Sequence, residues 1–100
     1  MNAAPPVLLS LYIAGTTPMS ARAVVNVRKL CDKHLAGRYQ LRVINLVDDP
    51  AKAQLAQIVA LPTLIKQQPQ PERRFIGDVS DPTRVLLALG LQPAEVEGLP

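Results

Sequence analysis

Few side chains in this sequence are equipped to bind a metal, move a proton or attack a substrate. There is one cysteine, Cys31, and one histidine, His34. They lie one helical turn apart and offer at most two metal ligands, so catalysis or metal binding would need converging partners. Cys31 falls on an apolar stripe, where a free thiol behaves as a small core residue. A single cysteine also excludes an intrachain disulfide. His34 reads as a surface residue near a helix end. Asp48 and Asp49 could suggest a metal or acid–base pair, but adjacent side chains diverge and Asp49-Pro50 has the form of a helix start. Arg73-Arg74 is the better recognition signal. On a strand the two guanidinium groups face opposite sides, and either could meet an acidic partner or a phosphate. No glycine-rich phosphate-binding loop occurs. These residues point to no catalytic group, no metal site and no cofactor.

The composition agrees with a binding protein. With no Trp and only three aromatic residues, the core must be Leu, Val, Ile and Ala. A net charge of +3 with a pI near 9.4 mildly favours an acidic partner surface. It does not indicate nucleic acid, because the basic residues are scattered and no aromatic platform accompanies them. No apolar run approaches the ~18 residues of a membrane span, and Met1 to Pro6 lack the basic start of a signal peptide. We expect a cytoplasmic protein forming one domain over residues 1–100, with frayed ends at 1–6 and 92–100.

The elements that would position these residues can be read in order. Val7 to Ile13 is almost continuously apolar between Pro6 and Gly15, the pattern of a central strand buried on both faces. Thr17-Pro18 starts a helix to about Ala36, with Val24, Val27, Cys31 and Leu35 on one stripe. Lys33 and His34 suit its last turn, and Gly37 its C-terminal cap. Tyr39 to Val47 is a second strand, parallel to the first. Asp49-Pro50 starts a helix to about Val59, with Ala51, Leu55, Ile58 and Val59 on one face. Pro62 opens a third strand to about Lys66. Residues 67–72 are a loop, and Arg73 to Ile76 a short hairpin partner ended by Gly77. Asp81-Pro82 starts the last helix, to about Leu89. The cap-proline pair at 17–18, 49–50 and 81–82 recurs at equal intervals, as three helix starts and not as a repeat.

The order is βαβαββα, an α/β chain with a mixed four-stranded sheet and helices on both faces. It resembles the thioredoxin-like fold, in which a cis-proline opens the third strand and faces the first helix; Pro62 takes that place. Redox members carry a Cys-x-x-Cys pair where the first strand meets the first helix. Here that stretch is Thr17-Pro18-Met19-Ser20, which cannot cycle a disulfide. A thiol-disulfide oxidoreductase is therefore the weaker reading.

More specifically, the chain resembles the KaiB family of the bacterial circadian clock. The matching stretches are Leu11-Tyr12-Ile13-Ala14-Gly15 with Thr17-Pro18 and Ser20, Leu41 to Asn45 with Asp49-Pro50, Pro62-Thr63-Leu64, and Arg73-Arg74-Phe75-Ile76-Gly77-Asp78-Val79-Ser80. The resemblance implies a non-enzymatic adaptor that docks on the KaiC ATPase ring, displaces the sensor domain of the kinase SasA and sequesters KaiA. It also implies a homo-oligomeric resting state, dimer or tetramer, and a second element order, βαββααβ, between which the family switches. Arg22, Arg73 and Arg74 are the partner contacts it suggests. A free-standing SasA-sensor-like module is the alternative.

The chain departs from the family at Gln57, where a lysine is common, in an acidic tail reduced to Glu95 and Glu97, and at two residues of the last helix region. Ala88 stands where glycine is common, and Gly90 where an acidic residue is common. Val85 to Leu91 is apolar on every side, compatible with a surface helix or a buried strand. Ala88 favours the helix, and so the thioredoxin-like order. Ala88→Gly is expected to shift the population away from that order by up to about 1 kcal/mol, roughly fivefold. Two sets of backbone NMR peaks in slow exchange would measure it; a strand over 85–89 in the wild type, unchanged in the variant, would contradict the assignment.

Overall fold

A computed structural model describes residues 6–92, so the expected frayed ends fall almost wholly outside the described range. The elements are β1 (Val7–Ile13), α1 (Pro18–His34), β2 (Tyr39–Asn45), α2 (Ala51–Leu55), β3 (Thr63–Gln68), β4 (Arg73–Ile76) and α3 (Pro82–Ala88). This is the thioredoxin-like order. The sheet runs β2-β1-β3-β4. β1 is parallel to β2 and antiparallel to β3, and β4 is antiparallel to β3.

β1 lies inside the sheet, and its alternate side chains serve opposite faces. Val7, Leu9, Leu11 and Ile13 join Val27, Leu30, Cys31 and Leu35 of the α1 region, Leu64 of β3, and Val85, Leu86 and Leu89 of the α3 region. This is the main core, and it uses the stripe expected on α1, with Val24 packed at its margin. The other face of β1 carries Ser10 and Tyr12, both buried. Ser10 Oγ donates to Gln67 Oε1 at 3.0 Å. Gln67 is the extra residue of a bulge between the Leu9–Lys66 and Leu8–Gln68 pairs.

α1 and α3 begin as the sequence indicates. Thr17 Oγ1 accepts from Ser20 N at 3.1 Å, and Asp81 Oδ1 from Arg84 N at 3.3 Å. α1 ends earlier than expected, at His34, and Leu35 is its cap; Gly37, at φ 76, shapes the following turn. The end of α3 resolves the all-round apolar segment. Gly90 has φ 74, Leu91 N donates to Leu86 O, and Gly90 N donates to Leu87 O. This paired closure needs a left-handed residue, which glycine supplies without steric conflict. It turns Leu91 back into the core, leaving Leu87 at 59% exposure as the one exposed leucine of the segment.

α2 is the correction. The expected helix to Val59 stops at Leu55 and buries no residue. Its N-cap is Pro50, and Asp49 makes no capping bond; its carboxylate lies 3.9 Å from Lys52 Nζ instead. The chain leaves the helix through Gln57, at φ 56, and Ile58 N closes on Ala53 O. Leu55 and Val59 are both 83% exposed and Ala51 is exposed too, so of the expected apolar face only Ile58 is partly covered. A short helix without tertiary burial is marginal, and Ile58-Val59 disfavour its extension.

The three similar helix starts therefore differ in energy. Thr17→Ala and Asp81→Ala are each expected to cost about 1 kcal/mol, whereas Asp49→Ala should change stability by no more than a few tenths. Urea unfolding of the three variants checks this; an equal loss at Asp49 would contradict it.

Candidate functional site

The loops at one end of the sheet converge on the start of α1. The Leu61-Pro62 peptide bond is cis. Pro62 O accepts from Gly77 N at 3.0 Å, which ties the segment before β3 to the segment after β4. Asn45 Oδ1 accepts from Gly15 N at 2.9 Å and Val47 N at 3.0 Å, pinning the turn into α1 to the end of β2. Asn45 has no special place in the sequence pattern beyond its strand, so this role was not legible there.

Between α1 and these loops lies a cavity of about 560 Å³, lined by Met19, Arg22 and Asn26 on one side and Leu61, Pro62 and Val79 on the other. Met19 is 61% exposed, a large apolar side chain at the mouth. Arg22 is exposed and has no hydrogen bond or ion pair among the described residues. The opposite carboxylate, Asp78, is engaged by Ser80 N at 2.9 Å. Sequence reasoning singled out Arg22 and Pro62, which meet here. It missed Met19, Leu61 and Val79 as a surface, because they come from three separate segments.

The other two arginines lie elsewhere. Register places Arg73 with Lys66 and Phe75 on the α1/α3 face, and Arg74 with Ile65 on the α2 face. Arg73 is exposed, and its guanidinium lies beside Gly90. Arg74 donates through Nη1 to Gln57 O and through Nη2 to Ala56 O, both at 3.1 Å, with Glu72 3.9 Å away. Arg74 thus holds the chain after α2 against the sheet. Ala88 is the last helical residue of α3, and Gly90 lies past the helix end. Lys66 was missed entirely. It is 3% exposed, and its Nζ donates to Pro69 O at 2.7 Å and Pro71 O at 2.9 Å, folding the hairpin turn. Burial, with Arg73 nearby, pulls its pKa below the usual lysine value.

Thr17 and Ser20 occupy the place of the redox pair, and their hydroxyls are used locally: Thr17 Oγ1 donates to Ser20 Oγ, which donates to Ala14 O. Cys31 is fully buried, and burial, reinforced by Asp32, pushes its thiol up to about 12. Among the described residues no three His, Cys, Asp or Glu side chains converge on a metal position. Among the described residues no helix is long and apolar enough to cross a membrane.

The KaiB domain profile matches residues 10–91. The chain is 39% identical over 93 residues to circadian clock protein KaiB3 of Synechocystis sp., covering 93% of this chain and 88% of that one. It is 44% identical over 91 residues to the circadian clock oscillator protein KaiB of Prochlorococcus marinus, covering 91% and 85%. The solution structure of the N-terminal domain of Synechococcus elongatus SasA superimposes with TM-score 0.71 at 28% identity, over 99% of this chain and 93% of that one. Chloroplastic thioredoxin z, at 17% identity and TM-score 0.61 over 72% and 66%, shares the fold.

The buried thiol gives a signed pH dependence. Its folded pKa lies above the ordinary 9.0, so its contribution is complete below about pH 9. It is lost as pH rises from there toward about 12, because only the unfolded thiol ionises. Cys31→Ala should be less stable at neutral pH yet lose less stability on raising the pH. Parallel pH slopes for wild type and variant, by urea unfolding, would contradict this.

Proposed function

This chain is a member of the KaiB family, and from that membership we propose that it is a non-enzymatic adaptor that docks on a KaiC-type ATPase ring. The observation that carries the reading is Arg22, an unpaired cation beside Leu61-Pro62 in an open cavity at the end of the sheet. A charged group at an apolar mouth suits a protein surface better than a small substrate, for which nothing in the cavity provides a reactive group. Arg73 adds an exposed cation on the same side of the sheet. Arg74 contributes through the segment it holds, because its donors are already committed to Ala56 and Gln57. KaiA and a SasA-type kinase are the regulators such an adaptor recruits or displaces.

The likeness to the SasA N-terminal domain over nearly the whole chain favours a second reading, a stand-alone module of that kind. Competition separates the two. An adaptor occupies the ring and also holds a further regulator, whereas a sensor-like module only occupies it. A resting dimer or tetramer belongs to this reading, and Leu55 with Val59, both 83% exposed on the α2 side, is the apolar surface it would cover.

Mixing the protein with a KaiC-type ATPase from the same source, in each phosphorylation state, should give a complex by size-exclusion chromatography in at least one state. Arg22→Glu should weaken it about tenfold, equivalent to ~1.4 kcal/mol. Absence of a complex in every state would overturn the adaptor reading.

A further inference from the structure

The cavity at Arg22 is the wide end of a longer trough. A second cavity of about 140 Å³ shares Asn26, Val79 and Ser80 with it and continues toward the end of α1. Along this line α1 presents Arg22, Asn26, Lys29 and Lys33, spaced four, three and four residues apart, which is one helical face. From Arg22 to Lys33 the face is about 16 Å long. Arg22, Lys29 and Lys33 are exposed, and none has a hydrogen bond or ion pair among the described residues. The carboxylates nearest the other rim are engaged: Asp78 accepts from Ser80 N, and Asp81 caps α3 by accepting from Arg84 N. The trough is thus a line of unsatisfied cations over a floor of Val79 and Leu30, with Met19 and Leu61 at its wide end.

We propose that this trough takes an acidic segment of the partner protein, laid along α1. Carboxylates of the segment meet Lys29 and Lys33, and one large apolar side chain sits between Met19 and Leu61. The proposal rests on the adaptor reading and names the part of the partner that the site recognises. A carboxylate-bearing peptide fits better than a nucleic acid strand, because no Phe, Tyr or Trp lines the trough to form a stacking platform, and His34 is the one aromatic ring along it. The chain's tyrosines and phenylalanine are elsewhere, Tyr12 buried on the α2 face of the sheet, Tyr39 bonded to Asp32 and Phe75 packed on the core.

Carbodiimide coupling, which joins an amine to a touching carboxylate, tests this on the full chain bound to the KaiC-type ring. The expected result is an amide link from Lys29 or Lys33 to an Asp or Glu of the partner, identified by mass spectrometry. Lys29→Glu with Lys33→Glu should weaken binding at least about tenfold, and added salt should weaken the wild type in the same direction. Arg28→Glu with Arg42→Glu, equal in charge change but off the trough, should bind as the wild type does. Amide NMR spectra establish that each variant is folded. If the wild type binds no ring, the adaptor reading falls and the trough proposal with it. If the wild type binds but neither lysine couples and the double reversal binds normally, the trough proposal alone is overturned. Competition by a short single-stranded DNA that needs Lys29 and Lys33 would overturn it in favour of nucleic acid.

Discussion

The central strand is buried on both faces, so both faces of the sheet must be covered, and this requirement shapes the rest of the molecule. The two covers are unequal. α1 and α3 close one side of β1 with Val27, Leu30, Leu35, Val85, Leu86 and Leu89. The other side has only α2, five residues long and without a buried side chain. β1 is adapted to that difference: its second face carries Ser10 and Tyr12 where the first carries Leu9 and Leu11. The hydroxyl of Ser10 requires a partner once buried, and the bulge at Gln67 supplies it. Arg74 pulls the chain after α2 onto this face through backbone carbonyls. Hydrogen bonds hold one cover in place, and apolar contact holds the other.

What was legible in the sequence follows the same division. Strong, continuous signals gave β1 and β4 to the residue, and the α1 stripe followed from its period. Local chemistry gave the caps at Thr17 and Asp81. The same chemistry misled at Asp49, because a cap-proline pair marks a possible start but says nothing about whether a helix finds a surface to bury. Lys66 was illegible for another reason. A lysine closing a strand reads as a solvated edge, and its burial becomes visible only when Pro69 and Pro71 bring their carbonyls round to it. The cavity beside Pro62 joins the first turns of α1 to the loops before β3 and after β4. Proximity of that kind belongs to topology and leaves no period in a single sequence.

Gly90 shows how one residue changes meaning with its position relative to a helix end. Counted inside a helix it would destabilise by about 1 kcal/mol relative to alanine. In the structure it lies one residue past the cap Leu89, at φ 74, where an L side chain is strained and glycine is not. Ala88 and Gly90 thus act in the same direction. Alanine favours the last helical position, and glycine completes the closure that returns Leu91 to the core. The segment 85–91, ambiguous between helix and strand by its apolar character, is biased toward helix by these two residues in succession. The same closure brings Gly90 against the Arg73 guanidinium, so an acidic residue at position 90 would gain a charge partner while straining the backbone.

The basic residues of the chain can be separated by what the fold does with them. Lys66 and Arg74 have their donors committed to backbone carbonyls, and Lys52 lies near a carboxylate. Their charge serves local structure. Arg22, Lys29 and Lys33 have no such commitment among the described residues, and they stand together on one face of α1. α1 itself does not need them there, because its stability comes from the opposite stripe and from the Thr17 cap. Interspersed carboxylates would satisfy solubility equally well. Three of the uncommitted cations of α1 thus line one groove, and Asp78 and Asp81 across from them accept from backbone N–H groups. Part of the chain's positive charge is thereby gathered beside the cavity, and the position that holds the redox pair in other members of the fold carries the mutually bonded hydroxyls of Thr17 and Ser20 instead.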